Sequence, residues 1–228
     1  MAYQTAANTG IVAPPGGPGP ISVGPITPYT ANSYAVVACQ YFSNIIPYDG
    51  WSQPGGASDI LVQQFPGQPS ITNTATVNYL DGLNDEWAAV MAVYATTGTP
   101  VMSLLTGGSF SAFHYPSADP HIVAVNQDDS ILVWVGVGTF IPGGQNGGDP
   151  NITVMDSDNN QYTFVKSVSI LPHINTAYLF TAFKVNANAS LTVTITGASP
   201  SGGPTGWFIS TVTHLTSLVG FSFGSYML

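Results

Sequence analysis

Between Ser190 and Thr196 the chain alternates with a period of two: Leu191, Val193 and Ile195 fall on one side of an extended backbone, Thr192, Thr194 and Thr196 on the other. A helix would scatter these residues around its circumference, whereas a strand makes of them one apolar and one polar face. The same grammar runs from Asn151 to His214, through NITVMDSDNNQYTFVKSVSI, NTAYLFTAFKV, SLTVTITG and GWFISTVTHL. In the first of these, two apolar runs flank Asp156-Ser157-Asp158-Asn159-Asn160, a polar stretch that reads as a hairpin turn. A set of antiparallel strands is expected here.

A chain of 228 residues suffices for one large core or two small ones. With 44% hydrophobic and 11% aromatic residues it cannot be globally disordered. Only 6% of residues are charged, against roughly 25% in an average globular protein. Its surface therefore rests on Ser, Thr, Asn, Gln and Gly, or is covered by partners. Two Lys+Arg against eleven Asp+Glu, a formal charge of -9, leave almost nothing to neutralise phosphates, so nucleic acid is not an expected partner.

Cys39 is the single cysteine, so an internal disulfide and a cysteine zinc site are both excluded; its apolar surroundings predict a buried thiol. MAYQTAANTG lacks the basic and apolar regions of a secretory signal, and an extracellular role would imply release by lysis or assembly. No apolar run approaches the roughly 20 residues that span a bilayer, so no membrane partner is expected.

Residues 1–30, with APPGGPGPISVGPITP at their centre, lack both the ladder donors and the side chains of a central strand, and read as an extended arm. Beyond them the order of strands is expected to repeat. Ile21-Ser22-Val23 parallels Ile152-Thr153-Val154; the run Asn32 to Val37 parallels Asn160 to Val165; SDILVQQF parallels TAYLFTAF; ATVNYL parallels LTVTIT; and Glu86-Trp87 parallels Gly206-Trp207. The chain is expected to be all-β, an antiparallel, jelly-roll-like β-sandwich in two tandem modules, residues 31–98 and 99–216. The first is shorter, and a missing strand would leave an open edge for another chain. Residues 217–228, SLVGFSFGSYML, carry no charge and are expected to be buried in that edge or on a neighbouring subunit. Ile11, Val12, Ile21, Val23, Leu218, Val219, Phe221, Phe223 and Tyr226 are the expected interface residues.

Catalytic signals are sparse. The acidic pairs Asp85-Glu86 and Asp128-Asp129 lie beside turns, which aspartate favours for its own backbone hydrogen bonds. The Asp156 stretch is rich in oxygen but lacks the glycine and distal glutamate of an EF-hand. His114, His121, His173 and His214 show no metal-ligand spacing, and His214 is expected in an apolar strand. No GxSxG elbow precedes a helix, and Lys166 and Lys184 are the only cations. A non-enzymatic protein without cofactor or metal is expected.

The second copy, SILVWVGV, NITVMDSDNNQYTFVKS, AYLFTAFKV, SLTVTITG and GWFISTVTHL, resembles a β-sandwich module common in bacteriophage virion proteins and some bacterial surface proteins. That module runs from an apolar strand through an acidic hairpin, here Asp156 to Thr163 with Asn159 in place of glycine, to a final tryptophan strand without the usual acid near His214. The resemblance covers about residues 130–215 well and 20–97 loosely. It implies a virion structural protein, a capsid decoration or cement protein that contacts copies of itself and a major capsid protein through its arm and tail. Two alternatives stand beside it. One is a tail, fibre or adhesin module binding glycans through Tyr48, Asp49 and Trp51, an aromatic and carboxylate combination that suits sugars. The other is a jelly-roll shell or filament-forming surface protein.

Overall fold

The computed structural model of the chain describes residues 4–5, 21–26, 32–40, 45–47, 52, 60–66, 73–79, 87–110, 118–139, 152–168, 174–197 and 205–226. Among the described residues there are strands and no helix. In the first half these are β1 (Gln4–Thr5), β2 (Ile21–Ile26), β3 (Asn32–Gln40), β4 (Ile45–Pro47), β5 (Ile60–Pro66), β6 (Asn73–Tyr79), β7 (Trp87–Thr96) and β8 (Met102–Phe110). In the second they are β9 (Asp119–Val125), β10 (Ser130–Thr139), β11 (Thr153–Asp156), β12 (Thr163–Val168), β13 (Ile174–Ala182), β14 (Asn188–Thr196), β15 (Thr205–Val212) and β16 (Leu215–Tyr226).

The strands form four sheets stacked in order. Sheet I is β11-β14-β9, sheet II β12-β13-β10-β15-β8, sheet III β1-β16-β7-β3-β5, and sheet IV β2-β6-β4. Every pairing is antiparallel except β1 with β16. The period of two explains the stack. In β14, Leu191, Val193 and Ile195 are buried, and they meet Ile131, Val133, Tyr178, Phe180 and Ile209 of sheet II in one core. The intervening residues of sheet II, Leu132, Trp134, Leu179 and Val212, turn the other way and form a second core with Tyr34, Val36, Val90, Ala92 and Tyr94 of sheet III. Sheet II is thus covered on both faces, which is why SILVWV reads as a continuous apolar run rather than an alternating one. On the far side of sheet III, Val37, Cys39, Ala89, Met91 and Val93 are fully buried, and β2 of sheet IV runs against β7 and β16 there.

The two sheet pairs have matching orders. β16-β7-β3-β5 in sheet III corresponds to β8-β15-β10-β13 in sheet II, and β2-β6-β4 corresponds to β9-β14-β11. This shifts part of the expected repeat. β3 lies between β7 and β5 as β10 lies between β15 and β13, so Asn32-Ser33 matches Asp129-Ser130 rather than Asn160-Gln161. Both serines are fully buried. β12 is an added edge strand.

Two strands cross between sheets II and III. β8 follows β7 in sequence but pairs with β15, and β16 follows β15 but pairs with β7. The two crossings run side by side: Thr97 N–H donates to the His214 carbonyl at 3.0 Å, Thr213 N–H to the Val101 carbonyl at 3.1 Å, and Val101 N–H to Thr213 Oγ1 at 3.0 Å. The apolar stretch after residue 216 therefore lies in sheet III, where Leu218, Phe221 and Phe223 pack against the second core. His214 is not in a strand. It is exposed, at the two-residue turn before β16, with φ of 63°.

Candidate functional site

Sheet I has three strands and sheet II five, so the sandwich does not close evenly. At one side β11 ends sheet I and β12 ends sheet II, and between them a groove of about 320 Å3 opens into the core. It is lined by Ile152, Thr153, Val154, Tyr162, Phe164, Tyr178 and Phe180. Ile152, Val154, Tyr178 and Phe180 are buried at its floor, whereas Phe164 is 54% exposed at its rim. Phe164 stands opposite Phe180 in the β12–β13 register, with ring centroids 5.5 Å apart, and Tyr178 stacks on Phe180 at 5.8 Å. Among the described residues no charged side chain lines the groove.

One end of the groove is set by the Asp156 stretch. The expected hairpin is absent, because β11 pairs with β14 in sheet I and β12 with β13 in sheet II. The stretch is a loop that crosses the sandwich. Its centre is the buried Asp156 carboxylate. Oδ1 accepts the N–H groups of Asp158 and Asn160 at 3.1 and 3.0 Å; Oδ2 accepts Asn160 Nδ2 at 3.0 Å and the Tyr162 hydroxyl at 2.9 Å. A carboxylate with four donors is satisfied by its own chain, and a cation placed there would meet hydrogens rather than lone pairs. Asn159 takes the left-handed φ of 58°, the position where the resembling pattern has glycine. Burial first, then the charge of Asp156 and the hydrogen bond to it, pushes the Tyr162 hydroxyl above its ordinary value, so it stays a donor.

The neighbouring loops are built the same way. Asp129 accepts from Asn126 N–H at 3.1 Å and Asn126 Nδ2 at 3.2 Å, and Asp158 receives Asn188 Nδ2 at 3.0 Å on each oxygen. The aspartates of this end hold loops. Elsewhere, His121 of β9 stacks on Trp207 with centroids 3.7 Å apart, and its Nε2 stands 2.9 Å from Asp119 Oδ2. Among the described residues this buried Nε2 has no hydrogen-bond partner, so the contact with Asp119 is a close approach rather than a directed bond. Among the described residues no three His, Cys, Asp or Glu side chains gather to hold a metal.

The residues singled out in the sequence fall in several places. Leu218, Phe221 and Phe223 are partly buried in the second core, and Val219 is half-buried in the same strand. Ile21 and Val23 pair with Val77 and Ala75 in sheet IV, and Tyr226 with Trp87 in sheet III. Ile11, Val12, Tyr48, Asp49 and Trp51 lie outside the described residues. Sequence reasoning missed the groove. Its signal was the pair Tyr162 and Phe164, two aromatics two residues apart where an acidic loop enters a short strand. No family profile, no curated protein and no solved structure matches this chain.

Proposed function

We propose that this chain is a non-catalytic structural protein of a virion, a decoration or cement component that sits on a shell of a major capsid protein. In this reading it is built of two tandem β-sandwich modules that have exchanged their last strands. The observation that carries it is that β8 follows β7 but pairs with β15, while β16 follows β15 but pairs with β7; in this reading each module is completed by a strand of the other. Strand exchange joins units through main-chain hydrogen bonds and buried apolar area without enlarging them, and the same joinery serves between subunits.

Two further features support the reading. From Val185 to Leu228 the sequence contains no charged residue, so β14, β15 and β16 meet partners without desolvating ions. The N-terminal arm contributes β1, a two-residue parallel addition at Gly220 and Phe221 of β16, a contact small enough to be traded for one on a neighbour.

Quantitative mass spectrometry of gradient-purified particles from the source tests the role. The protein is expected at a copy number comparable with that of the major shell protein, and particles stripped of it are expected to lose thermal stability. Its absence from purified particles overturns the proposal.

A further inference from the structure

β9 opens with Asp119-Pro120-His121, and the period of two places Asp119 and His121 on one face of the strand, on either side of the peptide bond that Asp119 makes with Pro120. The stack on Trp207 holds the His121 ring in place. Its Nε2 stands 2.9 Å from Asp119 Oδ2 and is committed to no hydrogen bond among the described residues. The Asp119 side chain is 29% exposed, so water reaches the carboxylate. The pair is chemically isolated: no other titratable side chain lies on β9 or on the neighbouring β8, β14 and β15.

An aspartyl-prolyl bond is a weak link in any chain. The aspartate carboxylate can close on its own main-chain carbonyl carbon in a five-membered ring. The group that leaves is the proline nitrogen, which carries no N–H in the chain and departs once it is protonated. Elsewhere that proton must come from solvent, whereas here an imidazole stands beside the carboxylate.

We propose that the chain cuts itself once at this bond in mildly acidic solution, with Asp119 as nucleophile and His121 as general acid. A carboxylate oxygen of Asp119 bonds to the Asp119 carbonyl carbon, the bond to the Pro120 nitrogen breaks, and the His121 imidazolium gives its proton to that nitrogen. The cyclic anhydride left on Asp119 takes up one water molecule, returns a proton to His121 and opens to an α-carboxyl and a side-chain carboxyl. One peptide bond and one water thus become one acid and one amine. Ordinary carboxylate and imidazolium side chains coexist between about pH 4 and 6.5, so the rate is expected to be bell-shaped with its maximum in that window.

The cut separates residues 1–119 from residues 120–228 without releasing either part, because β8 stays paired with β15 and β7 with β16 across the break. It is a nick at the start of an edge strand of sheet I. The proposal is independent of the shell role, since a chain that cuts itself once turns over no substrate.

The sequence carries its own control, a second aspartyl-prolyl bond between Asp149 and Pro150 that is followed by Asn151 rather than histidine. The full chain, verified as folded by circular dichroism, is held for several days at about pH 5 and about pH 8, then denatured for gel electrophoresis and mass spectrometry. Two fragments, each about half of the 23.7 kDa chain, with Pro120 at the new N-terminus, are expected at the acidic pH only. Cleavage after Asp149 is expected to be at least about tenfold slower in the folded chain, and the two bonds are expected to break at similar rates in urea. His121→Gln slows the cut after Asp119 at least about tenfold, and Asp119→Asn abolishes it. A folded wild-type chain that stays intact after Asp119, or that is cut equally at both bonds, overturns the proposal whether or not the variants fold. A folded His121→Gln chain cut at the wild-type rate overturns it as well.

Discussion

Three tyrosines hold their hydroxyls away from water. Tyr34 and Tyr94 are buried between sheets II and III, and Tyr162 is partly buried against Asp156. Burial is the leading cause that raises all three above the ordinary phenol value of 10.0; at Tyr94 the hydrogen bond with Thr181, at 2.8 Å, offsets part of it. A raised folded-state value means that the native chain keeps protons which the unfolded chain releases at high pH. Stability from these groups is therefore complete below pH 10 and falls as pH rises beyond it, by up to about 1.4 kcal/mol per pH unit for each tyrosine. Urea midpoints measured across the alkaline range are expected to be level up to about pH 10 and then to drop steeply, with a shallower drop in Tyr94→Phe. An unchanged midpoint well above that pH would refute the burial of these hydroxyls. None of this was legible in the composition, because a tyrosine in an alternating run shows which face it takes but not what covers that face. His214 carries the same lesson. Its apolar neighbours suggested a strand, yet its backbone is left-handed and its ring lies over Gly98, where an added β-carbon would stand 3.1 Å from the imidazole.

At the scale of elements, the strands with clean alternation or long apolar runs, β10, β13, β14 and β15, were legible, and their partners were not. A turn-rich stretch between two apolar runs is compatible with a hairpin and with a crossing between sheets. Tertiary packing chose the crossing, because Val154 of sheet I and Phe164 of sheet II flank one groove from opposite sheets. The crossing depends on one carboxylate. Asp156→Ala would leave the N–H groups of Asp158 and Asn160, the Asn160 amide and the Tyr162 hydroxyl without their acceptor. The expected cost is about 2–4 kcal/mol, read from urea denaturation against wild type; a loss under about 0.5 kcal/mol would mean that water replaces the carboxylate. β8 shows another fit that sequence inspection overlooks. A β-carbon at Gly107 would overlap the ring of Phe208 on the paired strand, so glycine is required there by the close approach of the ring.

For the whole molecule, the decisive fact is that sheet II is buried from both sides and that β8 and β16 each cross to the sheet that does not hold the strand before them. Sheets II and III share a core through Trp134, Leu179, Val212 and Leu215. They are expected to unfold together, with tryptophan fluorescence and far-ultraviolet circular dichroism tracing one coincident transition. Two separated transitions would show that the crossing strands do not couple the two sheets. The sequence by itself determined the all-β class, the exclusion of an internal disulfide and most of the strands, since each follows from local periodicity or from counting cysteines. Tertiary structure alone decided the crossing of β8 and β16 between sheets II and III, the four-layer stack and the groove at Phe164. Pairing partners and sheet order depend on contacts between residues far apart in the chain, and a period of two states which residues share a face but not which sheet will cover it.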